Sequence, residues 1–101
     1  MAAVVRTPLA EADLDGILTD LDEKNPAAAE RYATHFADKA DFLSRFPEAG
    51  RSRPEIAPDV RSTLIKPYVI FYRFRQDTVH ILRILHGRRD LRRIMEEEPG
   101  D

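Results

Sequence analysis

Leu14, Ile17, Leu18 and Leu21 recur at i, i+3, i+4 and i+7, one apolar stripe that predicts an amphipathic helix. Thr7-Pro8 supplies its N-cap and first turn, and Asp13 and Asp15 lie near the positive end of its dipole. The helix should stop before Asn25-Pro26, where asparagine caps a second one. Tyr32, Phe36, Ala40 and Leu43 carry the second stripe, with Ala29, Ala33 and Ala37 allowing close approach. Two such helices on a tight link predict an antiparallel hairpin. Before it, Ala2 to Thr7 is short, β-prone and stopped by Pro8, which suits a first strand.

After the hairpin the period changes. Phe46-Pro47-Glu48-Ala49-Gly50 should end the second helix with Gly50 as its breaker, and Arg51 to Asp59, with Pro54 and Pro58, reads as an ordered but irregular loop. Val60 to Ile65 is β-prone and Pro67 restricts the reversal that follows. Tyr68 to Phe74 is almost continuously apolar and aromatic, as a central strand covered on both faces would be. Gln76-Asp77 supplies a turn, Thr78 to His86 a last strand, and Gly87 its end. Arg88 to Glu98 could form an optional short C-terminal helix on Leu91, Ile94 and Met95, with an acidic end that opposes its dipole. The fold class is therefore α+β, in the order β-α-α-β-β-β. An antiparallel meander of the last three strands, joined by the first strand, carries the helical hairpin on one face. We read residues 1–98 as one domain and 99–101 as a short tail.

Composition narrows the function. Hydrophobic residues are 43% and charged residues 34%, a soluble globular balance. With no cysteine, disulfides and cysteine-based zinc or iron–sulfur sites are excluded. No apolar run nears the roughly 20 residues of a membrane span, and the N-terminus lacks the pattern of a secretory signal. A cytoplasmic location is expected.

The net charge of −2 conceals an asymmetry. Residues 1–50 carry 5 basic and 10 acidic side chains, whereas Arg51 to Arg93 carry 11 basic against Glu55, Asp59, Asp77 and Asp90. Ten of those eleven are arginine, suited to planar, bidentate contact with carboxylate or phosphate. The second half should meet something acidic.

Catalytic groups are sparse. There is no glycine-rich phosphate loop and no Gly-x-Ser-x-Gly elbow. His80 and His86, on one face of one strand, would stand roughly 20 Å apart, too far to share a metal. His35 belongs to the second helix, so no metal site and no cofactor are expected. Glu11, Asp13, Asp15, Asp20, Asp22 and Glu23 read as a solvated helix face. Arg61, Arg73 and Arg83 fall within neighbouring strands, where arginine needs solvent or a cross-strand partner such as Asp77. Arg88, Arg89, Arg92 and Arg93 place four arginines in six residues just past the last strand.

Gly50-Arg51-Ser52-Arg53-Pro54-Glu55, Val60-Arg61-Ser62, Tyr68-Val69-Ile70-Phe71-Tyr72-Arg73 and Ile84-Leu85-His86-Gly87-Arg88-Arg89-Asp90-Leu91 strongly resemble ParE-type toxins of bacterial toxin–antitoxin modules, within the wider RelE/ParE superfamily. The resemblance runs from the opening strand to Leu91 and implies the fold read above. It implies a toxin that inhibits DNA gyrase and is neutralised by a cognate, ParD-like antitoxin in a hetero-oligomer. RelE-type members are instead ribosome-dependent messenger-RNA endonucleases, whose chemistry needs a base, an acid and a cation around one phosphate. In that alternative Arg61 and His86 would be the surviving catalytic positions, but Gly87 stands where a phenol would follow. A detoxified remnant of such a module is a further alternative. On the gyrase reading Arg88, Arg89, Arg92 and Arg93 are the expected target contacts, and Arg61, Arg73 and Arg83 the expected antitoxin contacts. Direct contact with nucleic acid is left open.

Overall fold

The computed structural model describes residues 1–87, which form β1 (Ala3–Arg6), α1 (Pro8–Lys24), α2 (Pro26–Arg45), β2 (Arg51–Ser52), β3 (Val60–Ile65), β4 (Tyr68–Arg75) and β5 (Thr78–His86). The expected C-terminal helix with Leu91, Ile94 and Met95 lies outside the described residues. The strands make one sheet in the order β1-β5-β4-β3-β2. β3, β4 and β5 are the antiparallel meander read from the sequence. The sheet as a whole is mixed, because β1 enters beside β5 in parallel, Ala3 opposite Thr78 and Arg6 opposite Ile81. The loop after α2 contains a further two-residue strand, β2, which pairs Arg51 with Ser62 and Ser52 with Arg61.

The caps explain where the helices start. Thr7 Oγ1 accepts the Ala10 N–H at 3.1 Å while donating to the Leu82 carbonyl at 2.9 Å, so one hydroxyl both caps α1 and pins it to β5. Asn25 closes α1 through its backbone N–H to the Leu21 carbonyl and opens α2 by accepting the Ala28 N–H on its side chain. That double use sets the tight link of the hairpin. The end of α2 differs from expectation. The helix stops at Arg45, ahead of Pro47, and Gly50 is needed for another reason, described below.

Tyr68, Ile70 and Tyr72 of β4 face the helices and pack with Ala10, Phe36, Leu43, Val79, Ile81 and Ile84. Val69 and Phe71 point the opposite way and cluster with Val60 and Leu85 beneath Ile56 and Ala57 of the loop after β2. All five residues from Tyr68 to Tyr72 are buried, as a two-faced central strand requires. On α2, Ala28 and Ala29 are the small residues at the core, whereas Ala33 and Ala37 are exposed. Gln76 and Asp77 adopt φ of 51° and 59°, the left-handed conformation demanded by a two-residue hairpin whose twist matches its strands.

One residue of slippage matters to the site. Phe71 faces Arg83 but Tyr72 faces Ile81, so Leu82 is a β-bulge. A one-residue insertion reverses which side later residues occupy. His80 lies opposite Arg73, and His86 lies opposite Tyr68 on the helix side. The two histidines expected on one face are therefore on opposite faces.

Candidate functional site

Arg61, Arg73 and Arg83 each have a partner within the fold, Arg73 through an ion pair rather than a hydrogen bond. Arg83 grips Asp13 of α1 through two hydrogen bonds, Nε to Oδ2 at 2.8 Å and Nη2 to Oδ1 at 3.1 Å, and the Ile84 N–H donates to Oδ2 at 3.0 Å. β1 ends at Arg6 opposite Ile81, so β5 runs on without a neighbour on that side. There Thr7 takes the Leu82 carbonyl and Asp13 takes the Ile84 N–H, which closes that edge with side chains. Asp13 thus does not belong to the solvated acidic face. Its position one turn beyond buried Ala10 and beside Leu14 and Ile17 was the available signal.

Arg73 and Arg75 converge on Asp59, at 3.3 and 2.5 Å. Asp59, not the expected Asp77, is the carboxylate that answers these strands. Burial pushes the Asp59 carboxyl up, but the Arg75 hydrogen bond and the charges of Arg73 and Arg75 outweigh it and hold it below the usual value. Arg53 bonds Ser62 Oγ at 2.8 Å and Glu55 at 3.2 Å.

Arg61 lies along β3 with its Nη1 donating to the carbonyls of Glu48 and Gly50, at 3.1 and 2.9 Å. Beside it the fully buried Tyr72 accepts the Gly50 N–H on its hydroxyl at 2.8 Å. A Cβ on residue 50 would come within 2.5 Å of that hydroxyl and 2.9 Å of the Ser62 carbonyl. Gly50 therefore serves close approach to a tyrosine, not the end of a helix.

Arg61 and His86 are not brought together. Arg61 is opposite Tyr72 and His86 opposite Tyr68, four residues along β4 and hence about 13 Å apart along the strand. The His86 ring packs edge-on against Tyr68, which in turn meets Tyr32, and Tyr32 meets His35, at centroid distances of 5.6, 5.6 and 5.7 Å. Burial raises the pKa of Tyr68, with Tyr32 adding to it. Burial also raises that of Tyr72, against the Gly50 hydrogen bond. Both phenols stay protonated and neither is poised as a base. Among the described residues no three His, Asp or Glu side chains converge as metal ligands, and no helix is long and apolar enough to cross a membrane.

A trough of about 500 Å³ runs between α2 and the end of β3, with Tyr32, Lys39, Phe42, Leu64 and Lys66 among its lining. Phe42 is 43% and Leu64 54% exposed. No motif in the sequence announces this trough, because it arises from how β3 meets α2. Arg88, Arg89, Arg92 and Arg93 lie outside the described residues.

Residues 4–91 match the family model described as ParE toxin of type II toxin–antitoxin system, parDE. Toxin ParE3 of Caulobacter vibrioides is 36% identical over 92 residues, covering 90% of this chain and 92% of that protein. Toxin RelE2 of the same organism is 38% identical over 89 residues, covering 88% and 99%. Among solved structures, a chain of the chromosomal ParDE TA system from P. aeruginosa superposes with a TM-score of 0.72 at 26% identity, covering 86% of this chain and 97% of that one.

Proposed function

Since this chain belongs to the ParE toxin family of type II toxin–antitoxin systems, we propose that it arrests growth by binding DNA gyrase and holding the enzyme's cleaved-DNA state, and that a cognate antitoxin neutralises it in a cytoplasmic complex. The observation that carries gyrase over the ribosome is the separation of Arg61 from His86. Cleaving a phosphodiester requires base, acid and cation within hydrogen-bond reach of one phosphate. Here the Arg61 guanidinium is committed to two backbone carbonyls, His86 is stacked at the far end of β4, and the nearby phenol of Tyr68 is held protonated. An inhibitor needs only a complementary surface.

The expected target contacts are Arg88, Arg89, Arg92 and Arg93, which follow directly on the end of β5. Guanidinium groups suit the phosphates and acidic surface that a DNA-bound topoisomerase offers. For the antitoxin, any carboxylate directed at Arg73 or Arg83 must share it with Asp59 or Asp13, and one directed at Arg61 competes with two carbonyls.

Purified protein added to gyrase should block supercoiling and accumulate cleaved DNA, while messenger RNA on translating ribosomes stays intact. Intact supercoiling with cut messenger RNA would establish the nuclease reading instead. No effect in either assay would mark a detoxified remnant.

A further inference from the structure

Arg61 is engaged at one end of its guanidinium only. Both of its hydrogen bonds leave from Nη1, to the Glu48 and Gly50 carbonyls at 3.1 and 2.9 Å. Its Nε and Nη2 meet no acceptor among the described residues. That is the edge by which Arg83 takes both oxygens of Asp13, Nε on one and Nη2 on the other. In Arg61 the same carboxylate-binding edge is open, on a half-buried side chain that two backbone carbonyls keep in place.

Ser52 lies opposite Arg61 and Arg61 opposite Tyr72, a row across the helix-facing side of the sheet, and Phe74 follows two residues along β4 on that side. Next to this row is a cavity of about 260 Å³, with Glu48, Ser52, Asp59, Val60, Arg61 and Phe74 among its lining. It is smaller than the roughly 300–1,000 Å³ of drug-sized sites, a volume for a small metabolite rather than a nucleotide. Glu48 and Asp59 share the lining, yet neither forms an ion pair with Arg61. Asp59 is engaged by Arg73 and Arg75. The Glu48 carboxylate has no partner among the described residues. Burial raises the pKa of Tyr72 and the Gly50 hydrogen bond lowers it; Arg61 lowers it and Glu48 raises it as well, so both charges stand near that hydroxyl.

The cavity thus holds a fixed cation and a separate, unanswered carboxylate, with apolar surface from Phe74 and Val60. A simple anion meets repulsion from Glu48, and a simple cation meets it from Arg61. A zwitterion satisfies both. We propose that this cavity binds a free α-amino acid with an apolar side chain, its carboxylate on the Nε and Nη2 edge of Arg61, its ammonium on Glu48 and its side chain against Phe74. Glu48 and Gly50 belong to the loop after α2, so an occupied site ties that loop to β3 and stabilises the fold by mass action. The site goes beyond the toxin reading and does not depend on it.

The probes are L-leucine and L-valine, titrated into the purified full chain. The amide resonances of Ser52, Arg61 and Phe74 should shift saturably, and the melting temperature should rise with concentration. L-leucinamide, which lacks the carboxylate, and isocaproate, which lacks the ammonium, should each bind roughly tenfold more weakly or worse, as the loss of hydrogen bonds to a charged group requires. Glu48→Gln should weaken L-leucine by a similar factor and leave the melting temperature of the unliganded protein unchanged, because its carboxylate braces nothing. Arg61→Lys, which keeps the charge without the fork, should also bind more weakly; should it fail to fold, Glu48→Gln and the ligand series decide. No saturable shift with either amino acid overturns the inference. So does isocaproate binding as tightly as L-leucine, which marks a plain anion site, and so does unchanged affinity in Glu48→Gln. Each of these leaves the toxin reading standing, since neither gyrase nor an antitoxin enters the measurement.

Discussion

Gly50 and Tyr72 form a pair in which a single methyl group decides the outcome. A Cβ at residue 50 would press on a buried ring and a strand carbonyl, neither of which can swing aside. Gly50→Ala should therefore cost roughly 1–3 kcal/mol, the usual range for overpacking a core. Tyr72→Phe leaves the Gly50 N–H without its acceptor and should cost about 1–3 kcal/mol. Because the two residues touch, the double variant should fall short of the sum, and chemical denaturation of all three variants checks it. Asp59 gives a pH signature at the same scale. Its folded pKa lies below its unfolded value, so its contribution is complete above about pH 4 and disappears as pH falls through the folded value. Asp59→Asn should be less stable than the wild type at pH 7, and the gap should close on acidification. A constant gap from pH 7 to pH 3 would mean that Arg73 and Arg75 draw nothing from this carboxylate.

Among the elements, the α1–β5 contact depends most on one side chain. Asp13 accepts from Arg83 and from the Ile84 N–H at a point where β5 has no neighbouring strand on its β1 side. Asp13→Ala should cost roughly 1.5–3 kcal/mol, as expected for hydrogen bonds to a charged group, and Asp13→Asn less because it keeps an acceptor for Ile84. Equal melting temperatures for Asp13→Ala and wild type would reduce the contact to surface decoration. The helices are legible in the sequence because their signals are local: Thr7 and Asn25 at the caps, and the stripe ending in Phe36 and Leu43. β4 is legible because burial on both faces leaves an unbroken apolar run. What stays hidden depends on distant residues or on parity. Asp13 and Arg83 are 70 residues apart, and their meeting follows from a four-residue β1 whose parallel direction no local pattern encodes. The bulge at Leu82 moves His86 to the face opposite His80 without any glycine or proline to announce it. For Gly50 the sequence marks a special position but not its cause, since Tyr72 lies 22 residues later.

For the whole molecule, the charge asymmetry becomes more specific once the internal pairs are known. Several basic side chains after Arg51 are paired within the fold: Arg53 with Glu55, Arg73 and Arg75 with Asp59, Arg83 with Asp13. These groups brace the sheet, and their removal should be felt as lost stability before lost function. The densest positive charge of the sequence is elsewhere, in Arg88, Arg89, Arg92 and Arg93, immediately after Gly87 turns the chain out of β5 with a φ of +46°. If these arginines meet the gyrase–DNA complex, function and stability should separate. Arg88→Ala with Arg89→Ala should abolish growth inhibition and gyrase inhibition, while the melting temperature and antitoxin affinity stay at wild-type values. Asp13→Ala should show the reverse order, with melting falling first. Residual inhibition by wild type should also decline steeply with salt, since phosphate contacts release counterions. A double arginine variant that remains fully toxic would move the inhibitory surface elsewhere, and the exposed face of the α1–α2 hairpin would be the next region to substitute.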